Sequence, residues 1–181
     1  TPNPSTLKFL PGRPVLAAGA ADFPTRESAQ KSPLAQRLFE LDGVSGVMFG
    51  QDFITVTKAG GDWQQLKPMV LGAIMEHFTR GLPVIDGEGS VAAPKEEYDP
   101  KDEEIVVQIK ELLETRVRPA VAQDGGDIVF RGFEGSSGTV FLNMRGACAG
   151  CPSSTATLKN GIENMLRHYI PEVNAVEAVS V

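Results

Sequence analysis

Residues 83–102 constrain the fold of this 181-residue chain more than any other stretch. They read Pro83-Val-Ile-Asp-Gly-Glu-Gly-Ser-Val-Ala-Ala-Pro-Lys-Glu-Glu-Tyr-Asp-Pro-Lys-Asp102, a mixture of glycine, proline and acid without hydrophobic period. That composition offers neither a helical stripe nor an alternating strand face, so it reads as a linker. It holds 2 basic and 6 acidic side chains (net −4), against 8 and 7 (+1) in residues 1–82 and 7 and 10 (−3) in residues 103–181. The expectation is an α+β protein of two small domains, 1–82 and 103–181, joined by an acidic Gly/Pro linker. A hydrophobic content of 41% is enough for a packed core in each.

The first half reads as ββαββα. Leu7, Phe9 and Leu10 suggest a short strand, Pro11-Gly-Arg-Pro14 a turn, and residues 15–18 a second strand. Ser32-Pro33 has the form of a cap followed by an N1 proline, with Leu34, Leu38 and Leu41 at helical spacing. Residues 44–49 and 53–57 read as a hairpin closed at Gly50-Gln-Asp52. Asp62 is placed to cap a second helix with Leu66, Val70, Ile74 and Phe78 on one face, and Gly81 to end it. Pro68 either kinks that helix or marks where regular helix begins. No catalytic or phosphate-binding constellation appears here. His77 has no second candidate ligand and reads as a packed or half-exposed structural histidine, and Trp63 as a core or domain-face anchor.

The second half reads as αββαβ. Asp99-Pro100 starts a helix with Asp102, Glu103 and Glu104 in its first turn and Ile105, Ile109, Leu112 and Leu113 on its apolar side. Arg118-Pro119 closes or kinks it. Gln123-Asp-Gly-Gly-Asp127 is a tight turn in which Asp124 and Asp127 serve as turn and cap residues, with a supporting role near the cysteines as the other reading. Residues 128–133 and 139–144 form two strands. A helix capped by Ser153 or Ser154 carries Leu158, Ile162, Met165, Leu166 and Tyr169, with Gly161 suggesting close packing. Residues 173–181 supply a last strand.

Both cysteines of the chain lie in Cys148-Ala-Gly-Cys151, followed by Pro152, at the junction of the second strand and this helix. A helix N-terminus presents unpaired N–H groups and favours thiolate, hence metal binding or nucleophilic chemistry. Tetrahedral zinc and the common iron–sulfur clusters take about four protein ligands. Two thiols per chain therefore leave the shell to be closed by a second chain, a histidine or a small molecule, most simply by a twofold dimer. Three readings compete on the spacing: a dithiol–disulfide pair, a shared zinc and a shared cluster. Proline after the last cysteine favours the cluster. Thioredoxin-like chemistry would want an aromatic residue where Ala147 stands and a βαβ unit around it. Arg145 and Lys159 flank the motif and read as surface cations, with charge compensation as the alternative. His168 falls too far along the helix to join the cysteines.

A net charge of −6 argues against nonspecific nucleic-acid binding. No apolar run has membrane-spanning length, and no signal-type pattern opens the chain. So short a cysteine loop makes a poor structural staple, which fits a reducing compartment.

The residues also carry a resemblance. Asp124-Gly-Gly-Asp127, Gly146-Ala-Cys-Ala-Gly-Cys-Pro-Ser-Ser154 and Leu158-Lys-Asn-Gly-Ile162 resemble the C-terminal NifU-like (Nfu) domain. Thr1-Pro-Asn-Pro4, Leu7-Lys-Phe-Leu-Pro-Gly12, Ser32-Pro-Leu-Ala35 and Phe53-Ile-Thr-Val-Thr57 are similar to the Nfu N-terminal domain. Together they cover nearly the whole chain in the manner of mitochondrial and alphaproteobacterial Nfu proteins. The resemblance implies a non-enzymatic carrier of iron–sulfur clusters. Cys148 and Cys151 would be the ligands of a 4Fe–4S cluster bridging two subunits of a homodimer, with 2Fe–2S served equally by four thiolates. Cluster-assembly proteins and client apoproteins would be the partners, met by the N-terminal domain, with no nucleic acid or membrane involved. The implied compartment is the bacterial cytoplasm, or alternatively the mitochondrial matrix. Related chains usually carry a few residues before Thr-Pro-Asn-Pro, so a processed or trimmed start is expected.

Overall fold

The computed structural model describes residues 3–86, 95–149 and 152–179. The chain divides into two compact units, one on either side of residues 87–94. Each has its own four-stranded sheet and its own core.

The first unit contains β1 (Thr6–Phe9), β2 (Ala21–Phe23), α1 (Pro33–Phe39), β3 (Val44–Phe49), β4 (Ile54–Lys58) and α2 (Trp63–Thr79). Its antiparallel sheet has the order β1-β4-β3-β2. The local signals work as their chemistry demands. Ser32 Oγ accepts from Ala35 N–H at 3.0 Å, capping α1, and Asp62 Oδ1 accepts from Gln64 N–H at 3.0 Å, capping α2. Pro68 lies inside a helix that runs unbroken over 17 residues. Leu34, Leu38, Val70 and Ile74 pack with Phe49, Ile54 and Val56 in one core. The second strand falls at Ala21–Phe23, not at residues 15–18: Val15 and Leu16 instead donate both N–H groups to Gln51 O. His77 is buried, as expected of a structural histidine, with Nε2 2.9 Å from Pro83 O.

Of the stretch expected as a linker, residues 87–94 lie outside the described residues, and its described ends are engaged. Ser32 Oγ donates to Val84 O at 2.6 Å and Asp86 N–H to Lys31 O at 2.7 Å. At the other end, β5 (Glu97–Tyr98) pairs in parallel with the second sheet.

The second unit continues with α3 (Glu103–Leu112), a π-helical turn (Leu113–Val117), α4 (Arg118–Gln123), β6 (Gly126–Glu134), β7 (Thr139–Gly146), α5 (Pro152–Tyr169) and β8 (Ala175–Ala178). The sheet order is β5-β6-β7-β8, antiparallel in the middle and parallel at both edges. Several points differ from the sequence expectation. Strand β5 is additional, and it fits only because residue 132 is glycine, where a Cβ would stand 2.5 Å from Glu97 O. Arg118-Pro119, expected to close or kink the helix, does not close it: the regular helix gives way to a π turn just before the proline and the chain carries on to Gln123. Helix α5 begins at Pro152, ahead of the serines expected to cap it, and β8 is shorter than residues 173–181. Beside Gly161 the space within the chain is open, so the close packing expected there is absent among the described residues. No helix of the described residues is long and apolar enough to cross a membrane.

Candidate functional site

The site is built where β7 ends. Gly146 and Gly126 pair across the β6–β7 ladder, with Asp127 opposite Arg145. Beyond Gly146 the chain enters a tight turn, in which Cys148 N–H donates to Arg145 O at 3.3 Å and Ala149 N–H to Gly146 O at 3.1 Å. Ala147 N–H donates to Gly125 O at 3.2 Å, tying the turn to the segment that precedes β6. Ala147 and Cys148 are buried, 1% and 7% exposed. The sequence thus puts a cysteine at a strand-to-helix junction whose backbone is already held on both sides.

Cys148 is seated directly on Gly126. A Cβ at residue 126 would stand 2.2 Å from Cys148 Sγ and 3.2 Å from its Cβ. The sulfur occupies the place a side chain would take, and no other residue type admits it there. Around it the sulfur shares the core of the second unit with Met144 and Ile162, with Leu158 packed alongside. Cys151, the other expected ligand, lies outside the described residues.

Asp127, the next residue of β6, is buried at 5% exposure and does not act as a cap. Its Oδ1 accepts from Arg118 Nε at 2.8 Å and its Oδ2 from Arg118 Nη2 at 3.1 Å, a two-pronged pair. Glu114, one turn back along the helix, accepts from Arg118 Nη1. Burial alone would lower the pKa of Arg118, but the bonds to Asp127 and Glu114 outweigh it and hold the guanidinium above its ordinary value. The sequence reading weighed a supporting role for Asp127 but missed Arg118. Its signal, an arginine nine positions earlier, has meaning only once the helix is folded against the strand.

The other flanking residues take ordinary places. Lys159 Nζ pairs with Glu177 at 3.1 Å, and Arg145 Nε donates to Asn143 Oδ1 at 3.0 Å. His168 is exposed, edge-on to Tyr169. Among the described residues, no group of three or more His, Cys, Asp or Glu side chains is gathered to hold a metal ion.

Known proteins match both halves of the chain. Residues 1–81 match the family model described as scaffold protein Nfu/NifU N terminal, and residues 109–177 match the NifU-like domain. The chain is 53% identical over 178 residues to NifU-like protein 4, mitochondrial, of Arabidopsis thaliana, covering 98% of this chain and 63% of that protein. It is 53% identical over 182 residues to the human protein named NFU1 iron-sulfur cluster scaffold homolog, mitochondrial, covering 99% of this chain and 69% of that one. A solution structure of a NifU-like protein from Saccharomyces cerevisiae aligns with 49% of this chain and 81% of its own, at 28% identity and a TM-score of 0.43. The chain thus spans about two thirds of the curated relatives it matches, and across that span it belongs to the two-domain NifU-like (Nfu) family of scaffold proteins.

Proposed function

We propose that this chain is an iron–sulfur cluster scaffold and carrier that receives a cluster from the assembly machinery, holds it between two copies, and passes it to client apoproteins. Family membership supports the scaffold part of the reading. The observation that carries the rest is the seating of Cys148, a sulfur held on Gly126 at the end of an ordered turn between strand β7 and helix α5. With two cysteines per chain, Cys148 and Cys151, a four-thiolate shell closes when a second copy brings the same pair across a twofold axis. We take the cargo to be 4Fe–4S. A shell shared across an interface opens as the subunits part, so a client's cysteines can displace the ligands in turn without either protein unfolding. Residues 103–181 are the cluster-binding domain in this reading, residues 1–82 the partner-contact domain, and residues 83–102 the linker. The mitochondrial relatives support the mitochondrial alternative, read here as the matrix, over the bacterial cytoplasm.

Anaerobic reconstitution with iron and sulfide, followed by metal analysis and mass in solution, tests this. The expected result is about four irons and four sulfides per dimer, from a metal-free chain that is monomeric. Cys148→Ala and Cys151→Ala are each expected to lose the brown chromophore and the dimer together. A variant that kept its colour would overturn the assignment. A wild type that held no iron and formed an internal Cys148–Cys151 disulfide would move the reading to thiol–disulfide exchange. Zinc without sulfide would move it to a structural dimer.

A further inference from the structure

We propose that Arg118 and Asp127 are positioning residues for Cys148, their two-pronged ion pair fixing the Gly125–Gly126 backbone on which the thiol is seated. The consequence for cargo rests on Cys148 being a cluster ligand, as read above. Alternation along β6 directs residues 126 and 127 to opposite faces. The strand is therefore gripped at one residue by Arg118 and loaded at the next by the sulfur, which lies so close to Gly126 that a Cβ there would stand only 2.2 Å from it. Gly125 O holds the same turn through Ala147 N–H at 3.2 Å. A shift at Asp127 thus reaches Cys148 both through the ladder and through the turn.

The setting of the pair argues that it serves geometry as well as stability. Its carboxylate is buried and its guanidinium half-buried, and an ion pair in such a place can fix one arrangement against its neighbours without exceeding a hydrophobic replacement in net stabilisation. The arginine also sits directly after a π-helical turn, Leu113–Val117, where the helix departs from regular register just before Arg118 meets the strand. Such turns carry a cost in hydrogen-bond geometry and concentrate at functional sites.

The test uses the full chain, metal-free and reduced, treated with iodoacetamide, with alkylation at Cys148 followed by mass spectrometry. Arg118→Gln and Asp127→Asn are each expected to raise its rate about tenfold or more, since losing even one hydrogen bond to a charged group is of that scale. Arg118→Lys, which keeps the charge without the fork, should fall between. Val176→Ala, which removes buried carbon from β8 outside the site, is the stability control and should leave the rate near wild type. A rise in Val176→Ala as large as in the pair variants would overturn the proposal, because Cys148 would then be responding to stability alone. If Arg118→Gln fails to fold, Asp127→Asn, which preserves side-chain volume, decides the matter. In loaded protein the same variants should surrender iron to a chelator faster than wild type. A wild type unable to hold iron would defeat the carrier reading while leaving the alkylation result to judge this one.

Discussion

Gly126 and Cys148 share one volume, so the smallest side chain is already too large at residue 126. Gly126→Ala is expected to push the sulfur out of its seat and reduce retained iron after reconstitution more than tenfold, read from visible absorption, while far-UV circular dichroism stays near wild type. Its neighbour answers differently. Arg118→Ala strands a carboxylate that is 5% exposed, and removing one partner of such a pair costs about 3 kcal/mol, measurable by denaturant unfolding. The pH dependence of this cost has a definite sign. A guanidinium held above its ordinary pKa contributes stability that is fully present below the unfolded value and is lost only as pH rises through the folded one. Arginine does not deprotonate in that range, so the difference between wild type and Arg118→Ala should be the same at about pH 7 and about pH 10.

At the scale of elements, what was legible in the sequence was local. Ser32 and Asp62 cap their helices because a short polar side chain beside a helical period has little else to do, and the cysteine turn follows from a strand pattern meeting a helix pattern. What was not legible depends on distant partners. Glu97-Tyr98 is polar and two residues long, and becomes a strand only because Gly132, far along the chain, lets its carbonyl approach. Asp127 reads as a turn residue until Arg118 is folded against it. Arg118-Pro119 reads as closing or kinking its helix; a π turn accommodates the proline, and buried Val106, Ile109, Leu113, Val117 and Val121 keep one side facing the core throughout. Residues 15–18 have strand composition, but a single carbonyl, Gln51 O, takes two of their N–H groups and leaves no ladder. Ser32 shows how a local signal gains a second use, since its hydroxyl both caps α1 and donates to Val84 O. Ser32→Ala should therefore cost somewhat more than the ~1 kcal/mol of a cap alone, measured by thermal unfolding.

For the whole molecule, two separate cores predict two separable unfolding transitions. The single tryptophan, Trp63, lies in the first unit and both tyrosines, Tyr98 and Tyr169, in the second, so fluorescence can follow each. Leu38→Ala and Leu166→Ala, both at fully buried positions, should each lower one transition by about 3 kcal/mol and leave the other in place. Strand β8 adds a consequence at this scale. It closes the second sheet at its edge, and the Val176 N–H, pointing away from β7, is taken by Glu163 Oε2 at 3.1 Å from α5. An uncovered edge donor is a template on which further strands can add without limit. One carboxylate reaching across from α5 takes that donor, so at Val176 the rim offers no free N–H for a further strand to pair with.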